Sequence, residues 1–85
     1  MPKTVFTGAH THLVEVLRAA RKEAGLTQAE LRARVGRSQR LISLIEKSQR
    51  RVDVLEFYVL AKALGVPPVK LFAAVVKKLP NQIEI

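Results

Sequence analysis

The chain has no cysteine, which excludes disulfides and thiolate metal sites. It has no tryptophan, one tyrosine and three phenylalanines in 85 residues, too few aromatics for the stacking platforms that single-strand RNA readers use. Its longest apolar runs, Phe57 to Ala61 and Leu71 to Val76, fall far short of the ~20 residues that cross a bilayer. No secretory pattern opens the sequence, and a cytoplasmic protein of bacterial or phage type, associated with the nucleoid, is the expectation. His10 and His12 stand two apart and share no helical face, and no clustered carboxylate joins them, so no metal is expected. No serine has a histidine and an acid in plausible order, and there is no glycine-rich phosphate loop. Neither an enzyme nor a bound cofactor or small-molecule ligand is expected.

Acidic residues are also scarce, seven against fifteen Lys and Arg, for a net charge of +8. The excess is localised. Residues 18 to 51 hold ten Lys or Arg against Glu23, Glu30 and Glu46, leaving +7 there. A polyanionic partner accounts for such a block, because each neutralised phosphate releases counterions and adds sequence-independent affinity.

That basic block contains two short helical patterns broken at one glycine. Thr27 and Glu30, three apart, form a capping box, and Leu31 and Val35 give the first helix an apolar edge. Gly36 follows as the residue that enters a left-handed turn without steric penalty, so this helix stops at Val35. Ser38 is suited to cap a second helix, in which Ile42 and Ile45 point to the core while Gln39, Arg40 and Ser43 point elsewhere. One face packs and the other is available to read DNA.

Three more helices complete the pattern. Leu13, Val16, Leu17, Ala20 and Ala24 predict a core-facing helix from about Thr11 to Ala24, ended by Gly25. Lys47 to Asp53 is a connection, with Asp53 as cap of a fourth helix that runs to about Leu64 and closes at Gly65. Pro68 suits the first position of a fifth helix extending to about Lys78 and stopped by Pro80. Residues 1–9 read as an N-terminal arm, 10–79 as the helical domain and 80–85 as a tail, with Asn81 to Ile85 alternating like a short strand. The last two helices carry more apolar residues than one buried face requires, which points to a dimer interface at Val69, Phe72, Val75 and Val76.

The combination Leu17-Arg18-x-x-Arg21-x-x-x-Gly25-Leu26-Thr27-Gln28-x-x-Leu31, Val35-Gly36-x-Ser38-x-x-x-Ile42-Ser43-x-Ile45-Glu46 and Leu60-Ala61-x-Ala63-Leu64-Gly65-Val66 strongly resembles the lambda-repressor and Cro-like helix-turn-helix family, also called the xenobiotic response element (XRE) family. The likeness covers about residues 13 to 73. Small stand-alone members look most similar, among them restriction-modification controller proteins, phage repressors and some antitoxins. The resemblance implies an all-α, compact five-helix DNA-binding domain that works as a homodimer on near-palindromic double-stranded operators, repressing or activating according to operator position. An antitoxin that clamps a partner protein with its apolar C-terminal surface while autoregulating its operon is the alternative. A basic amphipathic membrane binder is a third reading, one without sequence preference on duplex DNA.

Carried over by position, Gln28 matches a phosphate contact that also braces the recognition helix, and Ser38, Gln39, Arg40 and Ser43 match base-facing positions. Amides pair with adenine and guanidinium with guanine in the major groove, so Gln39 and Arg40 lead as readers. Lys47, Arg50 and Arg51 fall in a loop that often touches the DNA backbone, and Arg37 adds a further phosphate candidate. Glu46 matches a structural glutamate. Leu44 stands where many members carry a polar reader, which leaves a thymine methyl, a partner surface or plain exposure open as its use. Ser48 replaces a frequent glycine and Arg51-Val52 a frequent Asn-Pro. Arg32 replaces the small residue that lets the two motif helices approach, and must turn outward or widen their crossing.

Overall fold

The computed structural model describes residues 8–36 and 39–83, with Gln39 described in its backbone only. Five helices follow one another: α1 (Ala9–Glu23), α2 (Gln28–Val35), α3 (Gln39–Glu46), α4 (Val54–Leu64) and α5 (Pro68–Lys78). The expected all-α architecture is present, and no strand occurs among the described residues. Tail residues 80–83 are neither helix nor strand. Arg37, Ser38, Glu84, Ile85 and the arm through residue 7 lie outside the described residues.

Local chemistry sets the boundaries. The Thr27 hydroxyl accepts from the Glu30 backbone N–H (3.0 Å), while the Thr27 N–H donates to the Glu30 carboxylate (2.8 Å). Asp53 and Glu56 repeat this box at the start of α4, at 2.7 and 3.1 Å. Each reciprocal pair satisfies helix donors that have no intrahelical partner. Gly36 closes α2 at φ 78°, in the left-handed region that a side chain disfavours.

Two expectations for α1 need correction. It begins at Ala9 rather than near Thr11, because Gly8 at φ 68° turns the chain into the helix and the Thr11 hydroxyl donates to its carbonyl (2.6 Å). Ala24 is exposed at the C-terminal cap and does not face the core.

α1 packs on α3 and α5, α2 on α3 and α4, and α4 on α5. The core they enclose contains Val16, Leu17, Leu31, Ile42, Ile45, Val52, Phe57, Leu60, Ala61, Leu64, Leu71 and Val75. Phe57 and Phe72 meet edge to face, 6.0 Å between centroids. Val75 is 3% exposed, so it belongs to the protomer's own core and not to an outer face. Val69 (84%), Phe72 (52%) and Val76 (50%) are on the exposed side of the same helix.

Candidate nucleic-acid interface

α3 is eight residues long, and its two sides differ in kind. Ile42, Ile45 and Glu46 are buried, whereas Arg40 and Lys47 are exposed and Ser43 and Leu44 half-buried. Arg40, Ser43, Leu44 and Lys47 follow the spacing of one helical row, three, four and seven apart. The sequence-predicted positions Arg40, Ser43, Leu44 and Lys47 therefore form a continuous outward edge. Leu41 turns aside into a groove with Val35, Ile45, Leu55, Val59 and Leu60, which Asp53 and Glu56 also line.

The inward side is held by Glu46. Its carboxylate accepts from Arg21 Nε at 2.6 Å and Arg21 Nη2 at 3.0 Å, and from Gln28 Nε2 at 3.0 Å. Arg18 Nε lies 3.5 Å from the same carboxylate, and Arg18 Nη2 donates to the Glu46 backbone carbonyl at 2.7 Å. Arg21 Nη1 also donates to the Leu26 carbonyl (2.7 Å), tying the α1–α2 turn into the network. Helices α1 and α2 thus converge on one buried carboxylate of α3, and the cation on the last α3 carbonyl suits the negative end of the helix dipole. Burial pushes the Glu46 carboxyl up, but hydrogen bonds from Arg21 and Gln28 and the charges of Arg21 and Arg18 outweigh it. The net result holds Glu46 below its ordinary value of 4.5. Hydrogen bonding to Glu46 raises Arg21 further above its usual range. Gln28 fills the bracing half of its expected role, through Glu46.

The end of α3 shows how Ser48 stands in for glycine. Ser48 adopts φ 59°, its N–H donates to the Ile45 carbonyl (3.0 Å), and the Gln49 N–H reaches back to Leu44 (2.8 Å). This pair of bonds is the Schellman arrangement, with a serine in the left-handed position.

The loop that follows is fixed from both sides. Arg50 clamps Glu56 with two hydrogen bonds, Nη1 to Oε1 at 2.9 Å and Nη2 to Oε2 at 2.7 Å, and Nη1 also donates to the Arg51 carbonyl. That pairing raises Arg50 above its ordinary value. Read from sequence as a phosphate contact, Arg50 has both terminal nitrogens engaged within the protein and shapes the loop. From α1, His10 Nε2 accepts the Val52 N–H at 3.2 Å. Burial, and then the Arg51 charge, press His10 below its ordinary value of 6.5. Arg51 itself is exposed beside this contact.

Sequence reading missed Arg18 and Arg21 as members of the site, although a signal was there. Val14, Leu17, Arg18 and Arg21 share one row of α1, and an arginine on an apolar row calls for a buried acid. It also missed Arg34, whose Nη1 donates to the Ala63 carbonyl near the end of α4 (3.0 Å). Arg37 and Ser38 lie outside the described residues, as does the side chain of Gln39.

A scaffold pair of helices with an outward-facing, braced second helix is the helix-turn-helix, and the helix-turn-helix family model matches residues 17–71. The chain belongs to the lambda-repressor and Cro-like, XRE-type helix-turn-helix family. That family consists of DNA-binding transcriptional regulators and not enzymes.

An uncharacterised HTH-type transcriptional regulator of Sinorhizobium fredii, y4dJ, is 49% identical over 51 residues, covering 60% of this chain and 66% of the relative. The chain thus spans just under two thirds of that relative's length. The solved XRE-family-like protein of Pseudomonas syringae pv. tomato superposes with a TM-score of 0.77 at 38% identity, over 85% of this chain and 88% of that one. The restriction-modification controller protein C.AhdI of Aeromonas hydrophila matches with a TM-score of 0.68 at 30% identity, over 74% of this chain and 96% of its own. No single helix among the described residues is long and apolar enough to cross a membrane.

Proposed function

We propose that this XRE-type protein is a sequence-specific duplex-DNA-binding transcriptional regulator that inserts α3 into the major groove. The observation that carries the reading is the α3 row of Arg40, Ser43, Leu44 and Lys47, held outward by the buried Glu46 network behind it. Arg40, with Gln39 beside it in sequence, reads base edges. Lys47, Arg37, Arg51 and Gln28 are the phosphate-contacting set, and Ser38 and Ser43 allow close approach.

The protein acts as a homodimer through the apolar faces of α4 and α5. Val54 (78% exposed), Leu55 (74%) and Tyr58 on α4, with Val69, Phe72 and Val76 on α5, leave more large apolar surface uncovered than a monomer usually tolerates. Controller proteins are among the structural neighbours, which supports a short two-fold assembly of this kind. Two recognition helices then meet successive major grooves about 34 Å apart on one DNA face. Binding that overlaps a promoter represses; binding just upstream activates.

Selection of bound duplexes from a random pool tests the reading. A near-palindromic consensus is expected, and Arg40→Ala should relax preference at one position per half-site, where a bidentate contact carries ~1–3 kcal/mol of discrimination. Uniform weakening on all sequences removes Arg40 as a reader, and no enrichment at all removes the function.

A further inference from the structure

We propose that Arg32 is a phosphate contact of this protein, a cation on the inner side of the motif whose counter-ion is supplied by the DNA. The inference rests on the DNA-binding reading above and extends it to a residue that packing alone would make small.

Arg32 is half-buried on α2, and its Nε is shut off from solvent with no hydrogen-bond partner among the described residues. No carboxylate pairs with it there. The two glutamates of the motif are committed elsewhere: Glu30 to the Thr27 N–H, and Glu46 to Arg21, Gln28 and Arg18. A half-buried guanidinium without an anion is unfavourable, and a packing role would be served better by an apolar side chain.

Its place on the helix says which way the charge is carried. Gln28, Leu31, Arg32 and Val35 share the inward side of α2, spaced three, four and seven apart. Gln28 reaches the end of α3 through Glu46, and Val35 lines a groove with Leu41 near the start of α3. The start of α2 thus meets the end of α3 and the end of α2 shares a groove with the start of α3, with Arg32 between these two places on α2. Arg34, two residues on and about 200° around the helix, reaches α4 at the Ala63 carbonyl. Arg32 is thus on the α3 side and away from α4, along the edge it shares with Gln28. A long stem on this edge, able to carry the terminal nitrogens past the buried Nε, suits a guanidinium that forks onto phosphate oxygens.

The test uses the full chain and two fluorescent probes, a duplex recovered from the random-pool selection and a scrambled duplex of equal length, titrated by anisotropy over a series of KCl concentrations. For Arg32→Ala we expect severalfold weaker binding to both duplexes and a log K against log salt slope shallower by about 0.9, the release associated with one phosphate. Arg32→Lys should keep the slope. A thermal melt of Arg32→Ala should match or exceed wild type, which separates loss of a contact from loss of fold. If wild type binds and Arg32→Ala binds equally with the same slope, Arg32 is not a contact and the inference fails alone. Weakening confined to the selected duplex would make Arg32 a base reader and also overturns it. If wild type binds neither duplex, the DNA reading fails and takes this inference with it.

Discussion

Replacing Arg21 by Met is expected to remove a large part of the protein's stability. Arg21 makes two hydrogen bonds to Glu46, at 2.6 and 3.0 Å, and the two side chains are only 11% and 4% exposed, so solvent screens little of the pair. Met fills the volume but leaves the carboxylate with Gln28 and Arg18, and also strips the Leu26 carbonyl of its donor. Truncating one partner of a buried ion pair costs about 3–5 kcal/mol, against a total stability of ~0.05–0.15 kcal/mol per residue. At a urea slope of ~1–1.5 kcal/mol/M the unfolding midpoint falls by roughly 2–5 M, measured by circular dichroism at one fixed protein concentration. Arg21→Lys, which keeps a charge but cannot fork, should fall between.

The pH dependence separates this from simple loss of packing. Glu46 is held below 4.5 in the folded protein, so its stabilisation is complete above that value and disappears as pH falls through the depressed folded value. In Arg21→Met, burial of Glu46 is opposed by fewer partners and its folded value moves up. The stability gap between wild type and variant should therefore be widest near neutrality and close progressively in acid. A gap under about 1 kcal/mol, the size expected of an exposed pair, or one unchanged between neutral and acidic pH would refute the claim that a buried charge network holds α3.

Three further outcomes follow from the geometry. Ser48→Gly should raise stability by about 0.5–1 kcal/mol, because the left-handed conformation costs an L residue ~1–2 kcal/mol and glycine returns part of that as unfolded-state entropy; a melting temperature raised by a few degrees is the readout. His10 is pressed below 6.5 on folding, so its neutral form is favoured and stability declines as pH drops from about 6.5; His10→Gln, which can still accept the Val52 N–H, should flatten that decline in urea midpoints. Phe72→Asp on the exposed face of α5 should shift sedimentation towards monomer and weaken DNA binding, while a monomeric wild type would contradict the dimer reading.

Most of the fold was readable because the chain punctuates its helices with residues that act locally. Thr27 with Glu30, Gly36, Asp53, Gly65 and Pro68 each mark an end within a residue, since caps and left-handed turns depend on neighbours three or four positions away. The start of α1 was harder because Gly8 can begin a turn in many ways, and what extends the helix back to Ala9 includes a contact from His10 to Val52, 42 residues on. The same limit separates Val75 from Val76. Both are apolar in an apolar helix, and only the direction in which α1 and α4 cover α5 decides that one is core and the other surface.

Arginine was the residue type least legible in the sequence, because its role is set by what lies opposite in space. Arg21 and Arg32 both occupy inward rows of their helices, and a count of charges assigns both to a basic surface. In the folded chain Arg21 meets a buried carboxylate and organises α1, α2 and α3, while Arg50 meets Glu56 and shapes a loop. Arg32 meets no carboxylate among the described residues. Of three arginines held partly inside the protein, two are paired with carboxylates by the fold itself, so not all of the ten Lys and Arg between residues 18 and 51 are presented to a polyanion. The cations left to make phosphate contacts are fewer and better defined than the sequence suggests, and a modest salt slope set by a handful of contacts, rather than by ten, is what this arrangement demands.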